Sequence, residues 1–393
     1  MSSAIRTWPR STSDFISTWL LPLGYFCLLT SLAWLEDRSL YHKLFYALMA
    51  APALLVLILQ PRRCAPLFRD PTLLAYLVFA AWALLSITWS SSEDAAGSLA
   101  KRPLYVAMLF TACTLMVEQN YSRFIQVIRA ASLLIIAFAA YGLVDFVLGY
   151  SSGARLTGTD ALQNPLLSSH LFGFFCIIWL GWVMTAPAKQ SLLALSPLAL
   201  LLATLLATGS RTPILATALA AIWLILCCWN ARSALLAGIV PACLAALLLL
   251  FPESLLNRGT SYRPEIWQLA LDKIVLQPWL GYGFDAPLSI SVPGLGYSFS
   301  EPHNLFLGVL YYTGVIGAAL WLLMHALALW TCWRHRQDTD FIIVGALVVY
   351  GIGAGLAEGG GILARPKEHW FLTWIPLAMV TALNIGRKLR EKA

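Results

Sequence analysis

The sequence predicts an all-α polytopic membrane protein, a bundle of about twelve transmembrane helices with an outer loop subdomain containing amphipathic helices. Three observations lead there. Of 393 residues, 59% are hydrophobic and only 11% charged, a balance that excludes an ordinary soluble domain. Apolar runs long enough to cross a bilayer recur from one end of the chain to the other. Lysine and arginine gather in alternate loops, the pattern left when positive charge stays in the cytoplasm. A backbone in lipid must satisfy its own polar groups, so each run is expected to be a helix.

Read with a window of about 19 residues, the spans fall roughly at 15–35, 44–59, 72–90, 104–117, 124–149, 166–185, 192–208, 213–230, 234–251, 304–329, 341–357 and 370–386. The first follows Arg6 and Arg10 and lacks a small-residue cleavage site, so it reads as a retained span and not a signal peptide. Arg6 and Arg10, then Arg62, Arg63 and Arg69, then Arg334 and Arg336, then Arg387, Lys388, Arg390 and Lys392 share one side if the spans are even in number. Both termini are then cytoplasmic. The chain divides accordingly into a first block of spans, 1–251, a large outer loop, 252–303, and a last block of spans with a cytoplasmic tail, 304–393. The eight cysteines imply no disulfide framework, and no CxxC pair suggests a metal or redox centre.

Cations left on the outer side need a reason. They are Lys101, Arg102, Arg155, Arg211, Arg258, Arg263 and Arg365. In LLATGSRTPILA a turn of a few polar residues between two apolar runs holds Arg211 close to the membrane surface. A guanidinium is a planar fork of donors that suits phosphate oxygens. Singly, such arginines also snorkel to lipid headgroups. Together they favour an anionic ligand at the outer face, either a pyrophosphate-linked lipid or the cargo of an anion transporter.

The segment SYRPEIWQLALDKIVLQPWLGYGF predicts an amphipathic helix from Arg263, with Arg263, Trp267, Ala270 and Ile274 on one face and Glu265, Gln268 and Asp272 on another. Pro264 fits a first turn, while Pro278, Gly281 and Gly283 end the helix and turn the chain. Arg263 then lies against protein or lipid, either at the anion or paired with a local acid such as Glu265 or Asp285. Further on, SVPGLGYSFSEPHN returns the chain to the membrane, and Asn304 is a suitable N-cap for the next span. His303 therefore sits where a loop meets a helix N-terminus. The helix dipole there disfavours a second positive charge, and a neutral imidazole can accept a proton from a hydroxyl. Anchoring at the membrane interface is the plainer role for the same side chain. Among the other histidines, His42, His325, His335 and His369 sit in short loops, inside a span or at a span boundary. His170 is the rival on the outer side.

TGSRTP (208–213), RPEIWQLAL (263–271), PWLGYGF (278–284), PHNLFL (302–307) and TGVIG (313–317), in that order around one outer loop, resemble the O-antigen ligase and polymerase superfamily of bacterial envelopes. ARLTGTDALQNP (154–165) resembles an earlier outer-face motif of the same family. The resemblance implies a multi-pass protein of the bacterial inner membrane with a periplasmic active site. It also implies a metal-independent glycosyl transfer without cofactor, from a glycan on undecaprenyl pyrophosphate to a hydroxyl of lipid A-core. Carried onto matching positions, the family roles make His303 the group that orients or deprotonates the acceptor hydroxyl. Arg211 and Arg263 become the clamps on the pyrophosphate. Charge placement adds Arg155, Lys101 and Arg102 as further cations for the same anion. Tyr311 and Tyr312 depart from the family pattern, which often has an acidic residue there.

One extended outer loop favours a ligase over a polymerase, which tends to carry two, and the short tail after the last span speaks against a protein O-oligosaccharyltransferase. A lipid-linked glycan transporter is the alternative of another class. It would show internal repeats and charges at mid-membrane, and Arg129 is the main charge of that kind. No HExxH or paired acids mark a metal site, and Asp285, Glu301 and Glu358 read as isolated acids. Neither composition nor motifs suggest nucleic acid as a partner.

Overall fold

The computed structural model describes residues 12–151, 153–158, 160–250 and 261–391, so Arg6, Arg10, Arg258 and Lys392 lie outside the described residues. Among those described, eight helices are long and apolar enough to cross a membrane. They are Thr12–Ala33 (α1), Arg38–Leu59 (α2), Pro71–Trp89 (α3), Ala96–Leu148 (α4), Pro165–Thr185 (α5), Ala188–Ala207 (α6), Arg211–Cys228 (α7) and Leu305–Arg334. Ala231–Leu250 (α8), Thr339–Gly355 and Trp374–Arg390 take up further predicted spans. The 53-residue α4 holds two predicted spans, divided by an extended backbone at Asn120. Every predicted span thus meets a helix, and the chain reads as a multi-pass helical membrane protein.

Caps written in the sequence set the helix starts. Asp70 accepts from the backbone N–H groups of Thr72 and Leu73 ahead of α3, and Asn164 accepts from Leu166 ahead of α5, each followed by a proline at the first helical position. Asp70 is fully buried and also accepts from Thr381 Oγ1 (2.8 Å) and Asn384 Nδ2 (2.7 Å), which ties α3 to the last helix. Three donors on Oδ1 and one on Oδ2 offset the cost of burying this side chain.

The outer-loop helix runs Arg263–Ile274 (α9), starting where the sequence predicts, with Pro264 in its first turn, but it ends before the Pro278 stop that the sequence marks. Its buried face is Ile266, Ala270 and Ile274, so the predicted face is rotated by one position, with Trp267 only half-buried. A short antiparallel ladder, Ile290–Ser291 (β1) with Ser298–Phe299 (β2), follows it and was not legible in the sequence. Among the described residues the loop contains this single helix. Leu305–Arg334 (α10) is capped by Asn304, which accepts from Leu307 N at 3.0 Å, as predicted.

Helix α10 is broken at Gly314, where φ is 64°. The break frees the carbonyls of residues 311–313; the PWLGYGF segment covers the first two and Trp82 of α3 the third. Tyr282 N donates to Tyr311 O (2.8 Å), Gly283 N to Tyr312 O (3.0 Å), and Trp82 Nε1 to Thr313 O (2.9 Å), while Val315 N donates to Pro278 O (2.8 Å). Irregular backbone at this depth survives because other protein groups satisfy it.

Thr339–Gly355 (α11) is the central helix, buried along most of its length. It runs antiparallel to α7: Trp223 Nε1 donates to Ile342 O at 3.0 Å, and Gly353 lies beside Ala216 and Leu219. The same register puts Arg211, the first residue of α7, level with the turn that follows α11. It also runs antiparallel to α5, with Gly173 beside Tyr350 and Gly181 beside Ile343. At the other end of the bundle, Arg63 pairs with Glu118 (3.1 Å) and Asp14 (3.5 Å), and Arg390 of Trp374–Arg390 (α12) reaches Asp338 (3.9 Å). The basic loops assigned to the cytoplasmic side therefore collect at one end, and His303 at the opposite one.

Candidate functional site

The turn after α11, the first turns of α5 and α10, and the start of α9 converge on Glu358. This carboxylate is 6% exposed. Arg263 Nη2 donates to its Oε2 at 3.3 Å, and His303 Nδ1 lies 3.9 Å from its Oε1. Two residues predicted separately, one at each end of the outer loop, are thus gathered by a third that the sequence reading set aside as isolated. Glu358 is not isolated, because its partners come from segments far from it in the chain. The local-acid alternative for Arg263 also fails, since its partner is 95 residues away and Asp285 is held by Arg102.

Burial alone pushes the Glu358 carboxyl up, but the His303 and His170 rings and the Arg263 guanidinium around it outweigh that and bring it below its ordinary value. Glu358 is therefore an anion at neutral pH. At 3.9 Å the contact with His303 is too long for a hydrogen bond, so the imidazole edge only neighbours the carboxylate. His303 adopts a left-handed backbone, φ 47°, immediately before the Asn304 cap. Its side chain is 34% exposed: one edge faces Glu358, the ring packs against Phe299, and part of it stays accessible.

Behind His303 are His170, on the first turns of α5, and His369, with ring centroids 5.5 Å apart. Neither ring nitrogen of either residue has a hydrogen-bond partner among the described residues. Burial, then the nearby Lys367 ammonium, holds His369 well below its ordinary value, so it is neutral. Buried polar groups are normally satisfied, which makes this cluster a place for a water or a substrate hydroxyl. Atoms of His170, Glu358 and His369 lie within 4.8 Å of one another, the donor types that hold a divalent transition metal. The guanidinium of Arg263 beside Glu358 is a fixed positive charge that opposes an ion there. Sequence reasoning saw His170 only as a rival to His303 and dismissed His369; the buried acid in AEGGG was the available signal for both.

The remaining predicted cations separate by role. Arg263 keeps donors beyond those given to Glu358, and its buried Nε has no partner among the described residues. Arg211 opens α7 directly after Ser210, so a helix N-terminus and a guanidinium coincide. Arg155 folds onto the same turn, donating from Nε to Thr208 O (2.7 Å) and from Nη2 to Ser210 Oγ (2.9 Å). Arg102 is bound by Asp94 (2.5 Å) and Asp285 (2.6 Å), and the neighbouring Lys101 is exposed.

Over 381 residues the chain is 43% identical to an O-antigen ligase of Pseudomonas aeruginosa strain PAO1, a match that covers 96% of this chain and 94% of that protein. The chain belongs to the O-antigen ligase family. A family model described as O-antigen ligase matches residues 196–322, which include Arg211, Arg263 and His303. The other members of the cluster, His170, Glu358 and His369, lie outside that O-antigen ligase segment and join it only through the fold.

Proposed function

We propose that this protein ligates a glycan, carried on undecaprenyl pyrophosphate, to a sugar hydroxyl of lipid A-core at the periplasmic face of the inner membrane, with both termini cytoplasmic. The observation that carries this reading is Glu358, which brings Arg263 and His303 to one point level with Arg211. The acceptor oxygen bonds to the anomeric carbon while the bond from that carbon to the pyrophosphate oxygen breaks. His303 orients the hydroxyl and takes its proton; Glu358 holds the imidazole edge and stabilises the charge that develops. Arg263 and Arg211, the latter at a helix N-terminus, receive the negative charge on the departing undecaprenyl pyrophosphate. Arg155 shapes the turn that presents Arg211. Lys101 is a more distant contributor to the same positive field, while Arg102 is taken up by Asp94 and Asp285. A diphosphate leaving group needs charge stabilisation and no further activation, so no cofactor and no metal takes part.

The test is a reaction of purified, reconstituted protein with undecaprenyl-pyrophosphate glycan, offered lipid A-core in one tube and a second lipid-linked glycan in another. Glycan is expected on lipid A-core with wild type and not with His303→Ala, and EDTA leaves the wild-type rate unchanged. Growth of the lipid-linked glycan would instead identify a polymerase. Movement of the lipid between leaflets without a new glycosidic bond would identify a transporter. A rate abolished by EDTA and restored by a divalent ion would place a metal on His170, Glu358 and His369.

A further inference from the structure

A pocket of about 420 Å³ opens beside the loop that carries His303. Ser300 and Glu301 from that loop, and Tyr312 from α10, form part of its wall, and the 361–367 segment forms another part. Arg102 in the same wall is already neutralised by Asp94 and Asp285, and Arg38 is paired with Glu368. Arg365 and Lys367 differ: among the described residues neither has a carboxylate within ion-pair distance.

These two cations sit on a segment that is held in place. Ile362 and Leu363 are buried, His42 Nε2 contacts Pro366 O at 2.9 Å, and Trp370 donates to Ala364 O (3.2 Å) and Lys367 O (2.8 Å). A Cβ on Gly361 would lie 3.8 Å from Lys367 Nζ and 3.9 Å from Glu301 Oε1, so the glycine leaves a gap between an ammonium and a carboxylate. A carboxylate accepts from sugar hydroxyls and an ammonium donates to phosphate oxygens, so the gap suits a phosphorylated sugar. Neither α7 nor α9, which carry Arg211 and Arg263, lines this pocket, so it is a second anion site separate from the one assigned to the pyrophosphate.

Resting on the reading of glycosyl transfer at His303, we propose that this pocket receives the acceptor glycan, and that Arg365 and Lys367 select an acceptor bearing a phosphate near the reacting hydroxyl. The test compares wild type with the Arg365→Ala/Lys367→Ala double variant on phosphorylated lipid A-core and on the same acceptor after phosphatase treatment. Acceptor KM is expected to rise about tenfold for each cation lost. Donor KM stays put, the charge-keeping Arg365→Lys/Lys367→Arg variant restores the acceptor KM, and the dephosphorylated acceptor erases the difference between wild type and double variant. A rise in donor KM instead, or an equal loss on both acceptors, overturns the proposal.

Retention of labelled, phosphorylated core oligosaccharide on proteoliposomes without donor separates this inference from the transfer reading. Phosphate-dependent retention by wild type that is lost in the double variant upholds the pocket even if no transfer occurs. Retention equal in the two proteins, or abolished when phosphatidylcholine vesicles are replaced by phosphatidylglycerol, assigns the cations elsewhere or to lipid headgroups and overturns it.

Discussion

Glu358 keeps a negative charge at 6% exposure because Arg263 and His303 reach it from the two ends of the outer loop. Removing that charge leaves Arg263 without its acid and His303 without a fixed edge. Glu358→Gln is therefore expected to lower turnover about a hundredfold, the scale of a lost acid–base partner, with Glu358→Asp recovering part of it. Wild-type turnover in Glu358→Gln would remove the residue from the mechanism. His369 gives a separate, pH-dependent signature. Its folded value lies below the unfolded one of about 6.5, so on acidification the unfolded chain binds the proton first, and stability is complete above that pH and lost as pH falls. Glu358, also lowered, has the same sign but acts below about pH 4.3. The unfolding temperature of detergent-solubilised protein should fall between pH 7 and pH 5, and His369→Gln should flatten that fall; an unchanged slope would count against a neutral, buried His369.

Between the helices, the sequence motifs become joints. TGVIG was legible only as a resemblance and PWLGYGF only as a turn, because what they do depends on each other. The first breaks α10 at Gly314 and the second supplies the N–H groups that the break requires. An alanine at Gly314 would adopt a left-handed backbone, which costs about 1–3 kcal/mol, and its Cβ would come within 2.2 Å of the Trp279 carbonyl. Gly314→Ala is expected to lower the unfolding temperature and to reduce transfer by displacing the start of α10, where His303 sits. A variant as stable and active as wild type would mean that the break is incidental. Helix α9 illustrates the limit of periodicity: its Pro264 start was read correctly, but it ends short of Pro278, and the face that packs on the bundle is centred on Ile266 and not Trp267. A period of 3.6 fixes which residues share a face, while the neighbour decides which part of that face is covered.

Across the whole bundle, charge divides by end. Arg63, Arg334, Arg387 and Arg390 lie at the end far from His303, which fits a cytoplasmic face opposite a periplasmic site. In a background without native cysteines, Ser300→Cys should react with a membrane-impermeant thiol reagent from the periplasm, and Lys388→Cys only after permeabilisation; the reverse order would invert the topology. The sequence by itself determined the helical, multi-pass class, the span positions, the Asn304 cap and the start of α9, and it pointed to Arg211, Arg263 and His303 as candidates. Hydropathy, capping and short motifs are local, so they are written where they act. Only the tertiary structure decided that Arg263 and His303 share Glu358, that His170 and His369 stand behind them, that Arg155 serves the Arg211 turn, and that Arg365 and Lys367 line a pocket beside His303. Those pairings join segments far apart in the chain, and residues become neighbours there through the antiparallel packing of α5, α7 and α10 on the central α11, a register that no single segment carries.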